Sequence, residues 1–444
     1  MTEQTSSIRS QCPYCGVGCG LDLQPPAKKG AAVRRDAEGT PMWSARGDKL
    51  HPSSLGQVCI KGATVGETLA RGRLDQPLSR NSLNENFEPI SWDEALERIT
   101  DQIQSSLKSK GPDSIAMYGS GQFHTEDYYI AQKLLKGAIG TNNFDANSRL
   151  CMSSAVAGYT RSLGSDGPPC CYEDLDHCTL AFLIGSNIAE CHPVLFQRLL
   201  KRKKKHPNSV TIVVVDPRQT DTAKAADIHL AVAPGSDLAL LHGIAHLVMR
   251  DNGQDSEFID NCTDKYDSFF DVVARWTPRR VALYCGIPEK RLREVAQLFH
   301  HRERVLSLWS MGVNQRREGT AVVGGIINLH LLTGQIGREG SGPFSLTGQP
   351  NAMGGREAGG LSHLLPGYRQ VTNAEHRTQI EHTWDIPKGN ISPNPGLTAW
   401  EQVEAMERGE LDLWWVAATN PLVSMPDLER VKAAVKRCPM VVVS

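Results

Sequence analysis

The chain is 444 residues long, 40% hydrophobic and 22% charged, with a formal net charge of −1. That length points to more than one domain, and the near-neutral balance gives no reason to expect nucleic acid or an anionic membrane as partner. No apolar run reaches the roughly 18 residues that a membrane-spanning helix needs.

At the N-terminus, Met1 to Gln11 is polar and lacks the apolar core of a secretory signal. It carries no twin-arginine export motif. Both observations predict a cytoplasmic protein whose twelve cysteines stay as thiols. The first chemistry-bearing motif follows at once: Cys12-Pro-Tyr-Cys15-Gly-Val-Gly-Cys19, then Cys59 after thirty-nine residues. Four thiolates so spaced suit a [4Fe–4S] cluster, which passes electrons singly. Structural zinc is the alternative, but it usually draws on two CxxC pairs and only one is present. Gly16, Gly18 and Gly20 let the backbone fold around a bulky group and aim N–H groups at sulfur. Residues 1–63 read as a small β-rich cluster domain.

Ser91 and Glu94 then form a capping box that opens a helix. An apolar strand, Ser114–Tyr118, runs into Gly119-Ser-Gly121. Strand, Gly-rich turn and helix alternate from there on, which predicts an α/β chain with parallel sheets. Leu180–Ile184 is a buried strand ending in Gly185-Ser186-Asn187. The basic run 201–205 closes the helix after Pro193, where cations suit a helix C-terminus. Val210–Val215 ends in Asp216-Pro217-Arg218, and Ile228–Val232 in Ala233-Pro234-Gly235. Three strands with such C-terminal ends outline a nucleotide crevice, with glycine admitting phosphate to the backbone. Cys178, Cys262, Cys285 and Cys438 lie in apolar contexts and read as core thiols. The unit recurs in part: Val416 to Pro426 parallels Leu183 to Pro193, and Met440–Ser444 parallels Ile212–Asp216. Two related doubly wound, Rossmann-like domains are therefore expected. Because Ser444 takes the place of Asp216, the sequence reads as incomplete at its C-terminus.

In their order, these motifs resemble the bacterial molybdopterin oxidoreductases over essentially the whole chain. The quartet resembles that family's cluster domain, and Lys61 matches its lysine between cluster and pterin. The segment 87–96 resembles the stretch that follows the cluster domain. The segment 140–156, with Ser148-Arg149-Leu150-Cys151-Met152, resembles the molybdenum-ligand segment of periplasmic and assimilatory nitrate reductases. There the cysteine sulfur binds the metal, and a soft thiolate suits it. Formate dehydrogenases normally place histidine after their ligand; here Met152 stands, and methionine cannot take a proton. The segment 164–176 resembles the assimilatory, cytoplasmic enzymes in particular.

Gly185, Ser186, Asn187, Glu190, His192 and Pro193 resemble the family's pterin-guanine phosphate segment. Asp216, Arg218 and Thr220 resemble its guanine-selecting turn, and Pro234, Gly235 and Asp237 the adjoining loop. Met311, Gly312, Asn314, Gln315, Gln349, Asn351 and Arg356 fall in segments like its substrate-side pterin loops. Of these, Glu190 is expected to be a buried, hydrogen-bonded carboxylate rather than a base, and His192 reads equally well as a satisfied structural histidine.

The resemblance implies a molybdenum nitrate reductase that makes nitrite by oxygen-atom transfer. Its metal would be held by two molybdopterin guanine dinucleotides and Cys151. Electrons would enter at the Cys12/Cys15/Cys19/Cys59 cluster, with Lys61 on the route inward. Arg149 and Arg356 are the candidates for drawing in the nitrate anion, and Met152 counts among the catalytic residues as the one standing where formate dehydrogenases have histidine. The donor would be ferredoxin, flavodoxin or an NAD(P)H-linked flavoprotein. Formate dehydrogenase and a non-catalytic iron–sulfur carrier or scaffold are the alternatives. The implied domains are 1–63 for the cluster, 151–309 for dinucleotide binding, and 64–150 plus 310–444 as a discontinuous second α/β half. A β-rich C-terminal cap is absent, so the reading assigns activity to a longer parent and expects this stretch alone to bind cofactor incompletely.

Overall fold

The computed structural model describes residues 7–26, 35, 39–69 and 72–444. The chain divides into two compact units, Met1–Gly66 with Cys151–Gly348, and Glu67–Leu150 with Gln349–Ser444.

The first unit is built on a five-stranded parallel sheet. Its order is Ile228–Leu230, Thr211–Val215, Leu180–Ile184, Val305–Trp309, Gly342–Ser345. Numbered along the chain this is 3-2-1-4-5, the doubly wound order, and it reverses between Leu180–Ile184 and Val305–Trp309. The central strands are continuous apolar runs because helices cover both faces. Leu180, Phe182 and Ile184 enter one core with the helices Asp237–Arg250 and Gly319–Leu332. Ala181 and Leu183 enter the other, with the helix Pro193–Lys205 and the cysteines Cys12, Cys15 and Cys19. The cluster hairpin therefore packs on one face of this sheet. It belongs to a three-stranded antiparallel sheet of Ile8–Gln11, Gly20–Gln24 and Ser44–Gly47.

The second unit has a four-stranded parallel sheet, ordered Phe144–Ala146, Ile115–Gly119, Leu413–Val416, Met440–Val443. Its order reverses between the two middle strands. Trp414 stacks on Tyr118 with centroids 6.0 Å apart. The repeated plan is visible locally. Asn187 and Asn420 each precede a four-residue helix after a core strand, and a parallel strand follows in each case.

Several expectations change. Residues 310–348 group with the first unit, not the second, because Gly342–Ser345 pairs in parallel with Leu306–Trp309. The first 66 residues group with that unit too. Ser91 caps its helix by accepting from the Glu94 amide, but the Glu94 carboxylate pairs with Arg98 rather than returning to Ser91. Cys178, Cys285 and Cys438 are buried, whereas Cys262 is exposed at the end of its short helix. The basic run behaves as a helix terminus: Lys203 donates to the carbonyls of Pro207 and Val210 and pairs with Asp227 at 2.9 Å.

Candidate functional site

Three of the four cluster cysteines lie in one hairpin loop, fixed by the register Gln11↔Gly20. The Cys12 amide donates to the Cys19 carbonyl at 2.8 Å, closing the loop. Cys59 precedes the helix Ile60–Ala63, and its carbonyl accepts from the Ala63 amide. The Tyr14 amide is directed at the Cys12 sulfur and the Val17 amide at Cys15. Burial pushes all three loop thiols up, Cys19 to about 12, and neighbouring thiols of the quartet, Cys59 included, add to the rise. A bound cationic centre favours the thiolate form of such thiols.

The loop also touches a short strap after the edge strand Gly342–Ser345. The Gly16 amide donates to the Gly348 carbonyl at 3.0 Å. A Cβ on Gly16 would sit 1.9 Å from the Thr347 carbonyl oxygen, so only glycine permits the approach. Lys61 donates to the Glu190 carbonyl at 3.3 Å. Its charge reaches Cys12, Cys15 and Cys191. Glu190 itself is exposed, correcting the expectation of a buried carboxylate. His192 is buried, with Nε2 2.8 Å from the Thr347 carbonyl. A carbonyl can only accept, so Nε2 carries the proton and Nδ1 presents a lone pair. Burial lowers the His192 pKa, which keeps it neutral. Its Nδ1 has no partner in the protein, and neither has the Oγ of buried Ser186.

Cys151 lies in the first turn of the helix Arg149–Leu163, partly exposed. Its sulfur is 3.4 Å from the Met311 sulfur. Met152 points the other way: it is buried in the first unit's core, and its sulfur accepts from the Asn314 amide at 3.2 Å. It is a packing residue, which corrects the catalytic expectation. Asn314 in turn accepts from the Trp309 indole at 3.1 Å.

The C-terminal ends of the two strands flanking the reversal meet through glycines. Gly185 has φ +57°, and a Cβ there would lie 2.8 Å from the Gly312 and Val313 backbone. The Gly312 amide donates to the Gly185 carbonyl. Asn187 accepts from Thr222 at 2.7 Å. Buried Asp216 accepts from the Arg218 amide at 2.8 Å, leaving the Arg218 side chain exposed. Thr220 caps the helix Asp221–Lys224. Pro234 and Gly235 are exposed beside buried Asp237, whose carboxylate pairs with Arg316. Gln315 is exposed, its amide bonded to the Met311 carbonyl. Arg316 and Thr347 were missed by the sequence reading. Arg-Arg-Glu at 316–318 looks like ordinary surface, and a threonine used through its carbonyl leaves no trace in composition.

The remaining candidates belong to the second unit. Arg149 is clamped on buried Asp145, with Nε and Nη2 each 3.0 Å from a carboxylate oxygen, and Nη2 also meets His363 Nδ1 at 3.2 Å. A guanidinium so engaged is a positioning group, not an open anion hook. Gln349 has a buried Oε1 without a protein partner. Asn351 donates to the Phe123 carbonyl at 2.7 Å, and buried Arg356 donates to the Ala352 carbonyl at 3.1 Å. Asn147, also missed, accepts from the Gly121 amide and donates to Thr419 at the strand ends.

The residues present fit the implied groups. The four soft sulfurs fit an iron–sulfur cluster. The unpartnered, buried atoms of Ser186 and His192 in the first unit fit a polar cofactor that would satisfy them. The Molybdopterin oxidoreductase Fe4S4 domain matches residues 5–71 and the Molybdopterin oxidoreductase family matches residues 73–444. A nitrate reductase of Synechocystis sp. is 54% identical over 97% of this chain and 60% of its own length. The periplasmic nitrate reductase of Desulfovibrio desulfuricans is 40% identical over 96% of this chain and 56% of its own. A nitrate reductase of Klebsiella oxytoca is 41% identical over 100% of this chain, which covers 48% of that protein. The chain thus spans 60% or less of the length of these relatives. Acetylene hydratase from Pelobacter acetylenicus shares the fold, with a TM-score of 0.75 at 17% identity over 98% of this chain and 60% of that one. The chain belongs to the molybdopterin oxidoreductase family.

Proposed function

We propose that this chain forms the cofactor-binding part of an assimilatory nitrate reductase. When bound, a molybdenum bis(molybdopterin guanine dinucleotide) supplies the oxygen-atom transfer that turns nitrate into nitrite. The observation that carries this reading is Cys151, a partly exposed thiol against the Met311 sulfur at the start of its helix. A soft thiolate in that setting suits molybdenum.

The other residues take their roles around it. Cys12, Cys15, Cys19 and Cys59 hold the cluster that receives electrons. Lys61, bridging to the Glu190 carbonyl, offsets negative charge gained on reduction. Ser186 and His192 offer unpartnered buried atoms to the cofactor, and Asp216 with Arg218 reads the guanine. Arg356 is the candidate for holding nitrate, while Arg149 is held on Asp145 and positions its segment. Met152, buried in the core, places no proton acceptor after the metal ligand, which disfavours formate oxidation. The resemblance of residues 164–176 to assimilatory enzymes supports a cytoplasmic setting, with ferredoxin, flavodoxin or an NAD(P)H-linked flavoprotein as the donor. Among the described residues no helix is long and apolar enough to cross a membrane.

Cys151→Ser tests the reading. It is expected to abolish nitrate reduction by the metal-loaded protein while leaving iron–sulfur absorbance intact. Full activity in that variant would sink the metal-ligand role.

A further inference from the structure

The two-residue strap Thr347–Gly348 is held from two directions and borders a third, all within the first unit. From the cluster loop, the Gly16 amide donates to the Gly348 carbonyl at 3.0 Å. From the crevice segment, His192 Nε2 donates to the Thr347 carbonyl at 2.8 Å. On the metal-ligand side, a Cβ on Gly348 would lie 3.9 Å from Met311 Cε and 4.0 Å from the Cys151 sulfur. Gly16 is pinned once more by Tyr172, whose hydroxyl donates to its carbonyl at 2.7 Å. Two consecutive backbone carbonyls therefore tie the loop of the cluster cysteines to the crevice segment, beside the pocket of the proposed metal ligand.

We propose that His192 is a positioning residue that fixes the Thr347–Gly348 strap, and through it sets the Gly16 loop and the Cys151 pocket together. This rests on the cluster and metal-ligand reading above. The physical basis is that backbone amides and dipoles around the sulfurs tune a cluster's reduction potential. Gly16 follows Cys15 directly and turns its amide to the strap. Any shift of the strap therefore moves peptide dipoles beside Cys15. His192 suits the task because it is buried, has one nitrogen committed to Thr347, and has its other nitrogen without a protein partner. It can thus hold the strap with Nε2 while Nδ1 accepts from a bound cofactor.

The test compares His192→Ala with His192→Gln in the molybdenum- and iron-loaded protein, by redox titration of the cluster followed by electron paramagnetic resonance. Glutamine places an amide N–H the same number of bonds from Cβ as Nε2. The alanine variant is expected to keep its iron, to shift the cluster's midpoint potential, and to slow single-turnover reoxidation by nitrate about 10- to 100-fold, as loss of an outer-shell partner does. The glutamine variant is expected to restore both. An unchanged potential in His192→Ala, or no restoration in a folded His192→Gln, overturns the proposal. If His192→Ala fails to fold, Tyr172→Phe releases the same loop at Gly16: a shifted potential supports the bridge and an unchanged one overturns it. The potential is read without substrate, so a wild-type protein with a cluster but no nitrate turnover would sink the nitrate reading alone. A wild-type protein with no iron–sulfur signal would overturn the cluster and the bridge together.

Discussion

Lys136 offers a prediction that can be worked from the geometry. It sits in the π-helical turn Lys133–Ile139, and its side chain is wholly buried. Its ammonium donates to the carbonyls of Gly359, Leu361 and Leu364 at 3.2, 2.8 and 2.5 Å. Burial lowers its pKa to about 7, with the Asp145 carboxylate opposing the shift. Those three acceptors also favour the charged form, since only the ammonium has three N–H groups to give. In Lys136→Met the stem volume is retained and the three donors vanish. Each carbonyl left buried without a donor costs about 1 kcal/mol at the low end of the usual range. The total of about 3 kcal/mol is partly offset by no longer burying an ammonium, leaving about 2 kcal/mol. The loss should be local, in residues 359–365, just after the helix carrying Arg356. Hydrogen exchange read by mass spectrometry is the assay, and about 2 kcal/mol is roughly a thirtyfold loss of protection there. Protection within threefold of wild type would refute the assignment of Lys136 as the staple of this segment.

Three further outcomes are expected. Gly185→Ala puts a Cβ 2.8 Å from the Gly312 and Val313 backbone at φ +57°. It should lower the unfolding free energy read by urea titration by about 1–3 kcal/mol and weaken cofactor retention, measured as molybdenum content. Lys61→Met removes a positive charge that favours the Cys12 and Cys15 thiolates. The cluster should remain, become harder to reduce and deliver electrons more slowly; loss of the cluster itself would contradict that role. His330 is fully buried between the Gln335 carbonyl and Ser307, and burial lowers its pKa to about 4. Between pH 6.5 and 4 the unfolded chain binds the extra proton and the folded one does not, so stability is lost as pH falls through that window. The loss reaches about 3 kcal/mol at most, and His330→Gln should flatten it in urea titrations across that range.

The parts of the fold written in local pattern were legible. Runs such as Leu180–Ile184 and Thr211–Val215 announce buried parallel strands, and the glycine-punctuated quartet announces its loop. The edge strand Gly342–Ser345 was not. Gly-Pro-Phe-Ser carries no strand signature, and proline is tolerated there only because the strand lies at the sheet's edge. Missing it put residues 310–348 in the wrong half. Lys136 was equally hidden. In Lys133-Leu-Leu-Lys136 a lysine looks like helix surface, and only the wider π turn and the distant carbonyls at 359–364 bring it inside. Within the site, a motif can name side chains such as Cys151, whereas contacts made by backbone, such as Thr347 to His192 and Gly16 to Gly348, depend on tertiary approach alone. Met152 and Glu190 show the converse. Adjacency to a ligand or motif said nothing about which way each side chain points, and the helix phase sent Met152 into the core.

The central claim is tested most directly by steady-state turnover of the molybdenum- and iron-loaded protein with an artificial one-electron donor, nitrate reduction being measured beside formate oxidation. The account predicts nitrite formation that depends on Cys151 and no oxidation of formate. Formate oxidation without nitrate reduction would contradict it.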